Sequence, residues 1–141
     1  MRFYEASATV AAAPEAVWAV PADCAAWPSW DSGVQSVEGR IALGEKITVR
    51  SHAAPGRAFA VTVAACAPPH TLRLDGGMPL GLFRGVRTYT VSPEPDGQTG
   101  FHMREQYTGP LVPLIWRSVP DLGPSFTQFA QGLKRRVESG R

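Results

Sequence analysis

The C-terminal segment, from Leu111 onward, carries the pattern that most limits the fold of this chain. Apolar side chains recur there at steps of three and four residues: Leu111, Leu114, Ile115, Val119, Leu122, Phe126, Phe129, Leu133 and Val137. This spacing is typical of the apolar face of an amphipathic helix. Because a proline inside a helix removes a hydrogen bond, Pro120 and Pro124 predict a kink or short break between Ser118 and Ser125. A helix with this much apolar surface needs a concave surface to cover it.

The composition narrows the class of protein and of partner. Hydrophobic residues make up 44% and charged residues 18% of the 141 residues, which suits one domain over residues 1–141 with a substantial core. The formal net charge of +2 is too small to argue for nucleic acid or an anionic membrane as the main partner. No apolar run approaches the ~20 residues of a membrane span, and the first residues are a poor secretory signal. We therefore expect a cytoplasmic protein with no integral membrane segment and no nucleic acid partner.

The residues that usually hold metals, cofactors or nucleophiles show no such spacing here. Cys24 and Cys66 make neither a disulfide framework nor a zinc site. His52, His70 and His102 lie in separate predicted strands without metal-ligand spacing. There is no phosphate loop, dinucleotide fingerprint or GxSxG sequence. We expect no metal and no cofactor, although a catalytic triad assembled in space is not excluded by sequence spacing.

The chain before the terminal helix is predicted to form mostly strands. Arg2–Val10 alternates with period two, and Pro14 then opens a helix that Pro21 should end near Val20. A second short helix is expected at about Ala22 to Trp27. Six further strands are predicted at Val34–Glu38, Lys46–His52, Arg57–Cys66, His70–Asp75, Phe83–Ser92 and Thr99–Thr108. Strands joined by short turns form an antiparallel sheet, and helices at the ends of the run indicate the α+β class.

Three stretches, taken in order, carry a resemblance to a known superfamily. They are Ala13-Pro-Glu-Ala-Val-Trp18 running into Ala22-Asp-Cys-Ala-Ala-Trp-Pro-Ser-Trp-Asp31, then Arg87-Thr-Tyr-Thr-Val91, and then Glu105-Gln-Tyr-Thr-Gly109-Pro-Leu. The whole chain resembles the START-like, or SRPBCC, superfamily, and within it the small bacterial polyketide cyclase/dehydrase-like proteins. The resemblance implies a helix-grip fold, in which a seven-stranded curved antiparallel sheet wraps around a long C-terminal helix. It also implies that two short helices after the first strand plug one end, and that a deep cavity lies between helix and sheet.

Two charged residues occur on strand faces that are otherwise apolar. Arg87 shares a face with Tyr89 and Val91, and Glu105 shares one with Met103 and Tyr107, so both charged side chains should point inward. A three-residue loop, Pro95 to Gly97, would place these residues in pairs: Val91 opposite Phe101, Tyr89 opposite Met103, and Arg87 opposite Glu105. A loop longer by two residues would keep the faces and shift the pairs. The pair is either a structural ion pair or a donor and an acceptor for a ligand's polar end.

The other candidate ligand-binding residues are aromatic or apolar. Seven aromatic residues together suit a pocket wall, although each alone is better explained as core: Trp18, Trp27, Trp30, Tyr89, Tyr107, Phe126 and Phe129. Three apolar residues on the same predicted inner faces complete the wall: Phe59, Val61 and Met103. The uncharged loop from Gly76 to Gly81 carries Met78 and Leu80, which either pack on the core or form a flexible lip over the cavity mouth.

Three functions are consistent with these residues. We expect a protein that binds a hydrophobic or aromatic small molecule, lipid-like or polyketide-like, between sheet and helix. The first alternative is a polyketide cyclase or dehydratase in which Arg87 and Glu105, the candidate catalytic residues, assist proton transfer. The second is a co-chaperone-like interaction module, which an exposed apolar patch without a cavity would favour. Several converging titratable groups would favour the enzyme, and a single polar pair would favour binding. A homodimer is also left open.

Overall fold

The structure is a computed structural model that describes residues 2–117 and 121–140. Its strands are β1 (Arg2–Val10), β2 (Val34–Glu38), β3 (Lys46–Ser51), β4 (Phe59–Ala67), β5 (Thr71–Gly77), β6 (Arg84–Pro93) and β7 (Thr99–Thr108). Its helices are α1 (Pro14–Ala22), α2 (Val112–Trp116) and α3 (Gly123–Ser139), with a 3-10 segment at Cys24–Ser29. The strands form one antiparallel sheet in the order β1-β7-β6-β5-β4-β3-β2. The predicted α+β class, with seven strands and two short helical segments after the first strand, is confirmed.

The two ends of the sheet differ in what connects there. Strands β1, β2, β4 and β6 begin at one end, where β3, β5 and β7 finish. We call this the upper end of the sheet. The β3–β4 connection, the β5–β6 turn and the segment from β7 into α2 all lie at the upper end.

Helix α3 lies across the inner face of the sheet near β1 and β7. Phe126, Phe129, Leu133 and Val137 are buried, so this half of the predicted apolar stripe is confirmed. At Gly132 the helix meets the chain at Asp31 so closely that a Cβ would overlap the backbone oxygen. Asp31 in turn accepts hydrogen bonds from Gln128 (2.7 Å) and Arg135 (2.6 Å), which tie α3 to the segment after the 3-10 turn.

The predicted interruption of the C-terminal helix is confirmed, with α2 ending at Trp116 and α3 beginning at Gly123. Pro124 lies in the first turn of α3, where its missing N–H costs no helical hydrogen bond. Val119 and Pro120 lie outside the described residues. The stripe prediction is wrong at Leu114, which is 67% exposed. Because α2 is a separate helix, its facing is not fixed by the periodicity of α3.

Two other expectations are corrected. Helix α1 continues through Pro21 to Ala22, because a proline in the last turn removes only one hydrogen bond and Pro21 is buried.

In β4, Val63 pairs with Leu74 but Ala65 pairs with Arg73, so a bulge reverses the alternation of inward- and outward-facing residues. Cys66, opposite buried Leu72, therefore shares the inner face where Ala65 was expected. Smaller shifts concern strand ends, and Gly76 and Gly77 finish β5 rather than beginning a loop.

None of the described helices is long and apolar enough to cross a membrane.

Candidate functional site

An ion pair lies on the inner face of the neighbouring strands β6 and β7, which are the third and second strands from the β1 edge of the sheet. The predicted register is confirmed: Val91 pairs with Phe101, Tyr89 with Met103, and Arg87 with Glu105. The turn holds the expected three residues, with Asp96 and Gly97 in the left-handed region at φ 65° and 74°. Arg87 donates from Nε to Oε1 of Glu105 over 2.6 Å. The alternation of inward- and outward-facing residues along the two strands, together with the three-residue turn, therefore brings the two charges into direct contact.

The ion pair is sheltered but not sealed. The side chain of Arg87 is 28% exposed and that of Glu105 is 17% exposed, so water reaches both. Burial would lower the pKa of Arg87, but attraction to Glu105 outweighs it and raises that pKa above its usual value, which keeps the guanidinium charged. Among the described residues, the contact from Nε of Arg87 to Oε1 of Glu105 is the one hydrogen bond of good geometry at either side chain. The hydroxyl of Tyr89 also interacts with Arg87, and that of Tyr107 with Glu105, at less favourable geometry. The pair is thus neutral as a whole and retains unused donors and one unused acceptor.

Two tyrosine hydroxyls beside the ion pair are buried without a hydrogen-bond partner among the described residues. They belong to Tyr89, which is fully buried, and Tyr107, which is 7% exposed. Burial raises the pKa of both phenols, and the negative charge of Glu105 further raises that of Tyr107. Both therefore remain protonated donors at neutral pH. A buried hydroxyl without a partner costs roughly 1–3 kcal/mol, which is unusual in a native interior and marks a place for water or a ligand.

Aromatic rings surround this polar cluster in two groups. The deeper group packs Phe129 against Trp27 (ring centroids 5.5 Å apart), Trp30 (5.0 Å) and Tyr89 (5.6 Å). The upper group places Trp116 on Tyr4 (5.2 Å) and Tyr107 (5.4 Å). Phe83 stacks on Tyr107 at 5.8 Å, and the guanidinium carbon of Arg87 lies 4.7 Å from the ring centre of Phe126.

These rings occupy much of the space between the sheet and helix α3. Within the described part of the chain, two concavities stand out, of about 660 and 440 Å³, and neither is the deep cavity that the resemblance implied. The smaller one lies on the outer face of β5, β6 and β7, lined by such residues as Arg73, Thr88 and Gln106. The polar cluster is therefore a partly open site under the upper end of the sheet, above a packed interior.

Two inward-facing glycines shape the backbone under the site. Gly76 and Gly85 pair across β5 and β6. A Cβ at Gly85 would lie 3.1 Å from Oε2 of Glu105, and a Cβ at Gly76 would lie 2.8 Å from a methyl of Val61. The carboxylate of Glu105 therefore lies over bare backbone, where a larger residue at position 85 would push it aside.

The other candidate site residues are distributed unevenly. Met103 is buried opposite Tyr89, and Val61 covers Gly76. Phe59 and Met78 are both exposed at the upper end of the sheet, and Leu80 is 95% exposed. For Leu80, packing on the core is therefore wrong. Whether the turn that carries it moves as a lip remains a prediction.

Sequence reasoning missed three aromatic residues of the upper group: Tyr4, Phe83 and Trp116. Tyr4 had a usable signal, because it alternates with Ala6, Ala8 and Val10 on the apolar face of β1. It pairs directly with Glu105 across β1 and β7. Trp116 had no such signal, since its position depends on how α2 turns back over the sheet.

A glycine in the third resembling stretch has a clear steric role. Gly109 has φ 116°, and a Cβ there would overlap the backbone oxygens of Gly81 and Leu82. The amide of Leu111 also donates to the oxygen of Leu82 at 3.0 Å. The segment from β7 into α2 is thus fixed against the β5–β6 turn.

The curved seven-stranded sheet folded over a C-terminal helix defines a START-like, helix-grip protein, and solved structures share it from end to end. A protein from Mesorhizobium loti is 19% identical with a TM-score of 0.77, covering 99% of both chains. A START superfamily protein from Mycobacterium smegmatis is 15% identical with a TM-score of 0.72, also covering 99% of both. Norcoclaurine synthase from Thalictrum flavum is 16% identical with a TM-score of 0.71, covering 99% of this chain and 88% of the enzyme.

The chain belongs to the family described as polyketide cyclase/dehydrase and lipid transport, whose model matches residues 1–138. The predicted superfamily is confirmed. No curated protein matches the chain in sequence.

Proposed function

We propose that this is a cytoplasmic protein that binds a hydrophobic, aromatic small molecule, with the polar group of the ligand held at Arg87, Glu105 and Tyr107. The observation that carries the proposal is the pair of buried tyrosine hydroxyls without a hydrogen-bond partner of good geometry. They lie beside an ion pair that makes one hydrogen bond, from Nε of Arg87 to Oε1 of Glu105. A core built only for stability gains nothing from such groups, because each costs desolvation without a hydrogen bond in return. The family description, which includes lipid transport, supports a binding role.

The unused groups favour one kind of polar group on the ligand. Donors are in excess: the terminal N–H groups of Arg87 and the two phenols, against one free oxygen of Glu105. The ion pair is already neutral, so a charged ligand group would be left without a counter-charge in a sheltered site. We therefore expect an uncharged oxygen acceptor, such as a ketone or a phenol oxygen, on an aromatic body.

The aromatic groups define where the body of such a ligand would lie. Because the interior is packed, rings must separate to admit a ligand, and Trp116 is best placed to do so. It is half-buried on a five-residue helix and packs edge-on against Tyr107, with ring centroids 5.4 Å apart. Displacing Trp116 would uncover the rings of Tyr107 and Tyr4, the upper group beside the ion pair.

Tyr107→Phe tests the proposal with little risk to the fold. The variant removes only a buried hydroxyl that makes no hydrogen bond of good geometry, so the free energy of unfolding should stay the same or rise. Binding of 2-acetonaphthone, followed by displacement of a neutral fluorescent probe, should weaken by about 3- to 10-fold, the worth of one hydrogen bond. Binding of 2-ethylnaphthalene, which has no acceptor, is the internal control and should not change. Equal effects on both ligands, or no binding of either, would refute the proposal, as would a clear loss of stability.

A second candidate function is a polyketide cyclase or dehydratase, and a specific observation favours it. Four titratable side chains converge on the site: Arg87, Tyr89, Glu105 and Tyr107. In this mechanism Glu105 takes a proton from carbon next to a carbonyl, and the enolate attacks a second carbonyl of the same chain. The resulting alkoxide is protonated and water is lost, while the tyrosines and Arg87 stabilise negative oxygen. The structural neighbour norcoclaurine synthase, solved with dopamine and hydroxybenzaldehyde, supports an enzymatic use of this fold.

Glu105→Gln separates the enzyme from the binding protein. Incubation with a linear poly-β-ketone thioester should yield a cyclised product one water lighter, detected by mass, only if the enzyme reading holds. The variant should then lower turnover by roughly 10²-fold with substrate binding retained. If the wild-type protein binds the thioester but forms no product, the enzyme proposal is refuted and only the binding proposal stands.

A further inference from the structure

Apolar side chains protrude from the upper end of the sheet, outside the polar cluster. We call them the apolar rim; its members are Phe59, Met78, Leu80, Leu82 and Leu114, all exposed. They come from three neighbouring stretches: the start of β4, the β5–β6 turn, and α2. The hydrogen bond from Leu111 to Leu82 joins the last two directly. The apolar rim is therefore one surface and not a set of scattered residues.

Leu80 is the most unusual residue of the rim. Its side chain is 95% exposed, and its backbone has φ 63°, in the left-handed region that leucine rarely adopts. Glycine or asparagine would suit this turn position better, and a polar residue would suit the exposure better. Neither the backbone nor the packing of the free protein therefore favours leucine at position 80.

The charge around the apolar rim is one-sided. Residues 52–58, 76–83 and 109–117 contain no aspartate or glutamate, but they contain Arg57 and Arg117, both exposed. Arg2 and Arg84 begin the strands beside them. Two acids that follow or flank these stretches are paired with cations: Asp31 with Arg135, and Asp75 with Arg73 and Arg84, so one of these two arginines is offset by Asp75. Asp121 accepts a hydrogen bond from the backbone amide of Gly123 and keeps its negative charge, which leaves arginines in excess. The net charge of +2 thus hides a locally cationic surface.

From this combination we propose that the apolar rim docks on an anionic phospholipid bilayer, with Leu80 and Leu114 inserted at the acyl-chain boundary. A leucine at the tip of a turn and another on the exposed face of a short helix can enter a fluid interface, whereas a protein partner would need a matching pocket for each. Exposed arginines flanking them suit anionic headgroups. The docking surface is peripheral and does not depend on whether the interior binds a ligand.

Vesicle flotation tests the proposal on the whole protein. The wild-type protein should float with vesicles of phosphatidylcholine mixed with phosphatidylglycerol, more weakly with phosphatidylcholine alone, and less as salt is raised. The double variant Leu80→Ser and Leu114→Ser should bind anionic vesicles at least about tenfold more weakly, because two leucines no longer leave water. Arg57→Gln with Arg117→Gln should reduce the preference for anionic vesicles.

The chain supplies a matched control in Leu43. It is 70% exposed in the β2–β3 turn at the opposite end of the sheet, so Leu43→Ser removes a similar exposed side chain and should not change flotation. All variants change exposed residues, and unchanged urea melts will show that they fold. Three results would overturn the proposal: no flotation of the wild-type protein, equal weakening by Leu43→Ser, or a wild-type dimer that the double variant dissociates. The last result would make the rim an interface between two copies.

Discussion

Breaking the Arg87–Glu105 pair provides a quantitative test of how the site is built. Arg87→Met leaves the carboxylate of Glu105 without its cation while that side chain is only 17% exposed. Losing one partner of a fully buried pair costs about 3–5 kcal/mol, and the water that reaches this pair lowers our expectation to about 2–3 kcal/mol. The lost contact between the guanidinium and the Phe126 ring, 4.7 Å away, adds roughly 0.5–1 kcal/mol.

Glu105→Gln should be milder. The amide oxygen can still accept the hydrogen bond from Nε of Arg87, and the freed guanidinium can reach water. We expect a loss of about 1 kcal/mol in the free energy of unfolding. In the double variant no charge is left unpaired. Its loss in the free energy of unfolding should therefore be smaller, by about 1–2 kcal/mol, than the sum of the losses in the two single variants.

Urea melts of the four proteins measure this coupling, provided that the dependence on urea is the same in each. The matched control is the exposed pair Arg40–Glu45, whose side chains are 78% and 47% exposed, and whose coupling should be near zero. Additivity within about 0.3–0.5 kcal/mol at Arg87 and Glu105 would refute direct contact and with it the register of the hairpin. Coupling in stability without a change in the binding of any ligand would show that the pair is structural only.

Three further predictions concern the fold around the site. Phe129→Ala should lower the free energy of unfolding by about 3–5 kcal/mol, measured by urea melts, because it empties the centre of the deeper aromatic group; a loss under about 1 kcal/mol contradicts this packing. Gly132→Ala should destabilise the fold by about 2 kcal/mol or more in the same melts, because the new Cβ overlaps the backbone oxygen of Asp31. Helix propensity alone would stabilise by about 1 kcal/mol, so a stabilised variant would show that α3 lies farther from Asp31. Burial would raise the pKa of Asp75, but hydrogen bonds from two arginines outweigh burial and lower that pKa in the folded protein. The carboxylate therefore stabilises the fold at any pH above its unfolded-state pKa of about 3.9. This stabilisation is lost as the pH falls through the lower pKa of the folded state. Asp75→Asn should therefore reduce stability at neutral pH and flatten its decline below about pH 4, and an unchanged slope in melts across pH contradicts this.

The sequence predicted the ion pair because local rules were sufficient there. Period-two alternation assigned Arg87 and Glu105 to the inner face, and the parity of a three-residue turn placed them opposite each other. Both arguments depend only on residues close together in the chain. The break before α3 was predictable for the same reason, since a proline acts on its own turn.

The sequence did not reveal which residues complete the site or which remain in water. Tyr4 comes from the other end of the chain, and Trp116 reaches Tyr107 only because α2 folds back over β1 and β7. The bulge in β4 reversed the faces of Ala65 and Cys66, although their sequence alternates normally up to that point. Leu114 fits a helical stripe but lies on a separate helix that turns it outward.

What the sequence determined by itself is the set of elements, their order and the pairing of neighbouring strands, because hydrogen-bond geometry and side-chain alternation act locally. Only the tertiary structure decided that Tyr89 and Tyr107 are buried without partners, that aromatic rings fill the interior, and that Leu80 stands in solvent. Burial depends on what lies across the sheet from a residue, and those neighbours come from distant parts of the chain. Whether a polar group is satisfied, or an apolar one exposed, is therefore settled only when the whole chain has packed.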